Sequence, residues 1–477
     1  MQRFLVRTSI ACTLIAIALS FTDGLARRWF PPLEGISPRW PLFLAVASGV
    51  VAWARSLWDA DLAPAVNRRW GRFAGLTALM VLGLNALMLT GPPLPTDVDT
   101  CLFEKPIGKG FRHFLNCDSP EFLILANDPA EVLDRPVRQS RPLSFGLAHL
   151  ISRPLYWVPR LVKFGPYRPH APEFAAYLLI NLALMVTALV MLTRIIEQVS
   201  GVRAGTELLL VFVAVGANDV TKMFFWTPHV QIYNLFLGCL TAFLAFRLIE
   251  RHQPPGARYV IGLALAIGIG VLVYGAFLIP LMCVTLILLA WWRRPLVAWL
   301  FAIVALLPYA AWAVMLRAMT GRYYSHEVAA FRQFVWIADC AKLSMEHCLP
   351  VVGTNLQQFF NAASAVLIVP LLLLGGCRIA SYVWPVASRG SRDRLRAIGV
   401  ATAITFAVTA VFLAAMGFYR QRLAWLLVPP LLVMVALELQ AFRLAIARPR
   451  RWLLDTGVLA SLSVYLWILM SRQGPFE

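Results

Sequence analysis

Apolar runs long enough to cross a bilayer recur from one end of this 477-residue chain to the other. A hydrocarbon core of about 30 Å takes about 20 helical residues. In lipid, every backbone N–H and C=O must find its partner inside the protein, so only helices and closed barrels can span. The runs here are continuous, not alternating, which selects helices. Composition agrees: 60% of residues are hydrophobic and 14% charged, against about 25% charged in a soluble domain. A soluble enzyme, a disordered chain and a disulfide-built miniprotein are excluded. The expected fold is an all-α polytopic membrane protein with about thirteen transmembrane helices and two sizeable outer loops that contain short interfacial helices.

The spans are expected at 8–22, 41–57, 73–91, 174–193, 206–221, 231–247, 259–273, 274–290, 296–316, 361–379, 397–418, 424–443 and 453–470. The first, preceded by Arg3 and Arg7, fits a signal peptide or an uncleaved anchor, and the anchor is preferred because no clean small-x-small cleavage site follows directly. Residues 259–290 give two passes of about 24 Å each. Gly262, Gly268, Gly270, Gly275 and Pro280 suggest a broken or re-entrant hairpin there. The formal charge of +19 is best read as topology. With the N-terminus in the cytoplasm, Arg68, Arg69 and Arg72, Arg194 and Arg203, Arg247 and Arg251, Arg293 and Arg294, Arg394 and Arg396, and Arg450 and Arg451 all fall in inner loops. The C-terminus is then periplasmic, in a cell inner (plasma) membrane. No basic tract interleaved with aromatics points to nucleic acid. The chain divides into 1–72, two helices and an inner loop; 73–316, a core with the outer loop 92–173; 317–360, a second outer loop; and 361–477, the C-terminal helices.

Both long loops fall outside, and the inner loops carry no glycine-rich nucleotide fingerprint. Chemistry is therefore expected at the outer face, without direct access to cytosolic nucleotides. Cys101 and Cys117 lie in the first loop, Cys340 and Cys348 in the second. Two disulfides, or four free thiols, fit that placement. An oxidising compartment favours the former.

The first loop concentrates carboxylates, among them Asp97, Asp99, Asp118, Glu121, Asp128 and Glu131. Asp118-x-x-Glu121 and Asp128-x-x-Glu131 both fit helix capping boxes. Capping does not preclude chemistry, and Asp118 with Glu121 would share one helical face. Arg138 and Arg141 follow closely and are candidate phosphate contacts, since guanidinium presents a planar fork to phosphate oxygens. Residues 142–163 read as an interfacial helix, broken or kinked at Pro154. Arg420 and Arg422 stand in a short turn expected outside, before Pro429-Pro430; phosphate binding competes there with headgroup snorkelling. A third candidate region runs from Lys222 to Gln231. Lys222 suits either substrate or an ion pair with Asp219, and His229 either substrate or a plain interfacial position. Tyr323, Tyr324, His326 and Glu327 are candidate acceptor contacts. Histidine and cysteine spacing gives no metal motif. No cofactor is assigned, and a divalent metal stays open.

Asp118 in the first large outer loop, the Arg141-Pro142-Leu143 run beside an amphipathic segment, and an otherwise all-helical polytopic chain resemble the type C integral-membrane glycosyltransferases. The likeness in order of elements covers about residues 73–250. It implies a sugar donor carried on a polyprenyl phosphate, transfer at the periplasmic or lumenal face, and a general-base Asp in this loop, for which Asp118 is the best match. The acceptor would be a lipid, a glycan or a protein. Two departures stand: two spans precede the loop where the family usually has one, and Asp97-Val98-Asp99 competes for the base. A polysaccharide polymerase or ligase using undecaprenyl-linked glycans is the alternative, followed by a transporter or flippase. Coupled transport usually requires charges inside the spans, and here they gather near span ends.

Overall fold

The computed structural model describes residues 69–91, 102–108, 111–158, 170–321, 323, 326–342, 344–383, 392–446 and 448–471. The spans expected at 8–22 and 41–57, and Asp97, Asp99, Cys101 and Tyr324, lie outside these residues.

The chain is an apolar helical bundle. Its long helices are α1 (Trp70–Met88), α4 (Ala171–Ser200), α7 (Ile232–Ile249), α10 (Pro295–Thr320), α13 (Met345–Val383), α14 (Arg392–Met416), α16 (Val428–Ala445) and α17 (Arg448–Ser471). Among the described residues, eight helical segments are long and apolar enough to cross a membrane. This is a multi-pass membrane protein. Shorter elements connect the helices: the hairpin β1 (Leu102–Gly108) and β2 (Phe111–Asn116), α2 (Ser119–Asn127), α3 (Pro142–Leu155), α5 (Glu207–Gly216), α6 (Asp219–Phe224), α8 (Ala257–Val273), α9 (Leu278–Leu286), α11 (His326–Phe331), α12 (Val335–Cys340) and α15 (Gln421–Ala424).

Several sequence expectations are corrected in detail. The span expected at 206–221 is two pieces, because Asn218 caps α6 by accepting from Val220 and Thr221 and so stops α5 ten residues after it starts. The second loop is shorter than 317–360, since α13 already begins at Met345. The first loop is not purely helical: β1 and β2 pair antiparallel, Leu102 opposite Asn116 and Phe103 opposite Leu115. Residues 259–290 do form a bent hairpin. Helix α8 ends at Tyr274, and α9 runs on through one wide turn to Trp291. Gly268 permits its close packing: a Cβ there would lie 2.2 Å from the Ala305 carbonyl oxygen on α10.

Helix direction gives the bundle two distinct ends. At one end α7 finishes and α14 begins, and Glu250 ties them through Arg394 at 3.2 Å and Arg247 at 3.5 Å. The loops expected inside meet here. At the other end the two long loops and the α14–α16 turn come together. Trp312 Nε1 donates to the Gln139 carbonyl at 2.7 Å. The Phe334 amide donates to the Met416 carbonyl at 3.0 Å. Cys340 and Cys348 form a disulfide that joins α12 to α13. Cys117 is likewise disulfide-bonded.

Helix α3 presents Leu143, Leu147 and Leu150 outward while burying Phe145, Ala148 and Ser152. An apolar exposed stripe on a short helix beside spans suits the headgroup boundary. Pro154 sits in its last turn, where its missing N–H removes one helix hydrogen bond just before the chain leaves the helix.

Candidate functional site

The two loops and the α14–α16 turn enclose a cavity of about 450 Å³, with Asp118, Arg138, Arg141, His229, Glu327 and Arg422 on its polar wall. Leu306, Phe331, Phe334, Phe412, Met416 and Leu426 are among the residues of its apolar wall. The lining therefore offers both charged groups and apolar surface.

Asp118 stands immediately before α2, at the position where a carboxylate usually caps. It makes no side-chain cap. Asn116 turns the chain instead, its Oδ1 accepting from the Asp118 amide at 3.0 Å. The carboxylate is thereby left for other partners. Arg138 Nη2 lies 2.7 Å from Asp118 Oδ1, and Arg138 Nε lies 2.7 Å from Glu121 Oε2. Glu121 also faces Arg135 at 3.9 Å. Arg138 is thus clamped between two carboxylates one helical turn apart, with its guanidinium carbon 5.0 Å from the Phe122 ring. Asp128 does cap, accepting from the Ala130 amide at 3.0 Å, while Glu131 turns to Arg135 at 3.1 Å.

His229 reaches the same carboxylate from the loop between α6 and α7, Nε2 to Asp118 Oδ2 at 3.5 Å. That loop is fixed from α4: Asn181 Nδ2 donates to the Phe225 carbonyl at 3.0 Å and the Phe224 carbonyl at 3.2 Å. The imidazole sits 4.9 Å from both the Phe122 and Phe224 rings. Burial pushes it down to about 4, with the Arg422 charge adding to that and Asp118 opposing. At neutral pH His229 is therefore an uncharged donor to Asp118. Burial alone would raise the Asp118 carboxyl. The His229 hydrogen bond and the Arg138 guanidinium overcome it and hold the group well below the usual carboxylate range. The side chain is still 40% exposed, so solvent or substrate can meet it.

Glu327 on α11 accepts from Arg141 Nη2 at 2.8 Å and from the Ser140 hydroxyl at 3.0 Å. Burial raises its carboxyl, but Arg141 wins and lowers it overall. Arg422 lies within the single turn of α15, its guanidinium carbon 5.7 Å from the Phe224 ring.

Comparison with protein families, with characterised proteins and with solved structures finds no match to this chain. The cavity's own geometry therefore has to carry its chemistry.

The cavity collects seven of the residues singled out from sequence: Asp118, Arg138, Arg141, His229, His326, Glu327 and Arg422. Glu121 stands behind Arg138 and orients it. Lys222 and Arg420 do not line it. Lys222 is 4% exposed and donates to the Leu469 carbonyl at 2.9 Å, a contact between helix ends. Arg420 is exposed, its guanidinium carbon 5.6 Å from the Phe418 ring. Two residues apart on the chain, Arg420 and Arg422 are separated by the start of α15, and only the second turns inward. Of the second-loop candidates, His326 and Glu327 line the cavity, whereas the Tyr323 hydroxyl is bonded to that of Tyr309. Gln231 closes the third candidate region but was given no role there, and sequence reasoning missed Tyr274 and the cavity's phenylalanines, because an apolar or aromatic residue at a helix end carries no chemical signature of its own. Among the described residues, no group of three or more His, Cys, Asp or Glu side chains stands close enough to hold a metal ion.

Proposed function

We propose that this protein is a membrane glycosyltransferase. It moves a sugar from a polyprenyl-phosphate donor to a hydroxyl of a lipid, glycan or protein acceptor, at the periplasmic face of the inner membrane. The observation that supports this most is the composition of one cavity. A half-exposed carboxylate and two guanidinium groups, Asp118, Arg141 and Arg422, come from segments far apart in sequence and share the cavity with an apolar wall.

In this reading the prenyl chain lies on the apolar wall and the phosphate meets Arg422 and Arg141. Arginine suits it, being permanently charged and able to give two N–H donors to one phosphate. The acceptor hydroxyl approaches Asp118, whose ionised oxygens are already aligned by Arg138 and His229. As the new bond to the anomeric carbon forms, the bond to the phosphate oxygen breaks and the electron pair leaves with the polyprenyl phosphate. The hydroxyl proton passes to Asp118, which returns it to water. A carboxylate this acidic is a weak base at the outset. It becomes competent late in the step, when the attacking oxygen carries positive charge and its proton is acidic. Donors aimed at the departing phosphate stabilise charge where it develops. One displacement with one base inverts the anomeric configuration.

Asp118→Asn tests the base. Transfer of radiolabelled sugar from a polyprenyl-phosphate donor by purified protein is expected to fall about 100- to 10,000-fold, with the elution profile and melting temperature in detergent retained. Wild-type rates in that variant would remove Asp118 from the reaction. Arg422→Gln is expected to weaken donor binding and rate together. Solute uptake into liposomes without any glycosyl transfer would instead indicate a transporter.

A further inference from the structure

Gln231, the residue before α7, lines the cavity and is 7% exposed. Its side-chain oxygen accepts from Asn234 Nδ2 at 2.6 Å, and Asn234 Oδ1 accepts from the Tyr274 hydroxyl at 2.9 Å. Asn234 is fully buried and Tyr274 is 5% exposed. The Tyr274 hydroxyl also stands 3.5 Å from the same Gln231 oxygen, so the oxygen is the end of the amide turned toward the relay. A tyrosine hydroxyl that donates to the Asn234 oxygen leaves the Asn234 amide nitrogen for Gln231. That nitrogen claims the Gln231 oxygen, so the Gln231 NH₂ is turned the other way. Among the described residues nothing accepts from Gln231 Nε2. Nor does the side chain cap α7.

Packing alone does not call for this relay. Three apolar side chains would fill the same space without desolvating amides, and a buried polar chain stabilises only when every member is satisfied. Here the one unsatisfied end is a pair of N–H donors on a nearly buried side chain of the cavity wall. Arg141, with its guanidinium carbon 5.4 Å from the Tyr274 ring, and Arg422 supply the positive charge an anion needs. An uncharged amide beside them suits a neutral oxygen.

We propose that Gln231, oriented by Asn234 and Tyr274, donates to a hydroxyl oxygen of the sugar being transferred and so helps decide which sugar is accepted. This rests on the glycosyl-transfer reading above. A site built to hydrogen-bond a hydroxyl rejects an analogue that lacks it, because the buried donor is then left unpaired.

The experiment is calorimetric binding to the full chain in nanodiscs, using farnesyl phosphate, farnesyl-phosphate-linked hexoses and their single-deoxy analogues. Wild type is expected to bind one hexose conjugate more tightly than bare farnesyl phosphate, and to lose about ten-fold when one particular hydroxyl is removed. Gln231→Met, which keeps the stem and deletes the donors, is expected to bind that conjugate and its deoxy analogue equally. Its affinity for bare farnesyl phosphate should be unchanged. If Gln231→Met does not survive purification, Tyr274→Phe frees the far end of the relay and should lose a smaller part of the same discrimination. Equal weakening of bare farnesyl phosphate would make Gln231 a phosphate contact and overturn the proposal. So would intact discrimination in Gln231→Met. Either result leaves the donor reading standing, whereas a wild type that binds neither farnesyl phosphate nor its conjugates removes both.

Discussion

Two ion networks, made of the same residue types, sit at opposite ends of α16. At the cavity, Arg138 holds Asp118 and Glu121 at 2.7 Å each, and Asp118 keeps 40% of its side chain exposed. About 25 Å away along the helix, Arg443 lies 3.9 Å from Glu207 and 3.3 Å from Asp455, with every one of these side chains 2% exposed. Thr206 closes that second network by donating to Asp455. The sealed cluster joins the start of α5, the end of α16 and the start of α17, and no substrate can reach it. Its charges hold helices together. The cavity network joins a loop, a helix start and a histidine loop, and one carboxylate still faces open space. The difference is hydration. A charge removed wholly from water is committed to its partners, whereas one left at a cavity wall keeps lone pairs for something that arrives.

The most severe way to probe this contrast is Arg443→Met. It strands two carboxylates in a sealed site and is expected to cost about 3–5 kcal/mol, read as loss of the folded peak in detergent or a large fall in melting temperature. Asp118→Asn should barely move either. The contrast fails if the first variant is as stable as wild type, or if the second unfolds.

Acid should come next. His229 titrates near 4 when folded and near 6.5 when free. Between those values the unfolded chain binds more protons, so stability is complete above about pH 6.5 and falls toward pH 4, by a figure on the order of 3 kcal/mol. The lowered Asp118 carboxyl adds loss only below its ordinary 3.8. His229→Gln, which still donates to Asp118, should flatten the upper window. An unchanged acid profile would assign that window to another group. The smallest effect is expected at Arg420→Gln: a change in stability within about 0.5 kcal/mol and transfer near wild type, against a clear loss at Arg422→Gln. Equal loss at both would mean that the turn, not the cavity, binds the phosphate.

The helical architecture was legible because lipid leaves the backbone few choices and length sets the spans. Arg247 and Arg394, both expected in inner loops, do share one end of the bundle with Glu250. Asp118 was legible as an acidic residue in a loop, but its freedom was not. The capping pattern Asp118-x-x-Glu121 is real in sequence, and only the fold reveals that Asn116 performs the turn and that Arg138 takes both carboxylates. Nor could spacing tell Arg420 from Arg422, since which side chain turns inward depends on where α15 starts against α7.

By itself the sequence determined that this chain lives in a bilayer as helices, and which charged residues stay at the helix ends. These are local matters of apolar length and backbone hydrogen bonding. Tertiary structure alone decided which of those charges meet, which are sealed and which face a cavity. Each pairing joins segments tens to hundreds of residues apart, and nothing in local spacing encodes the distance between them.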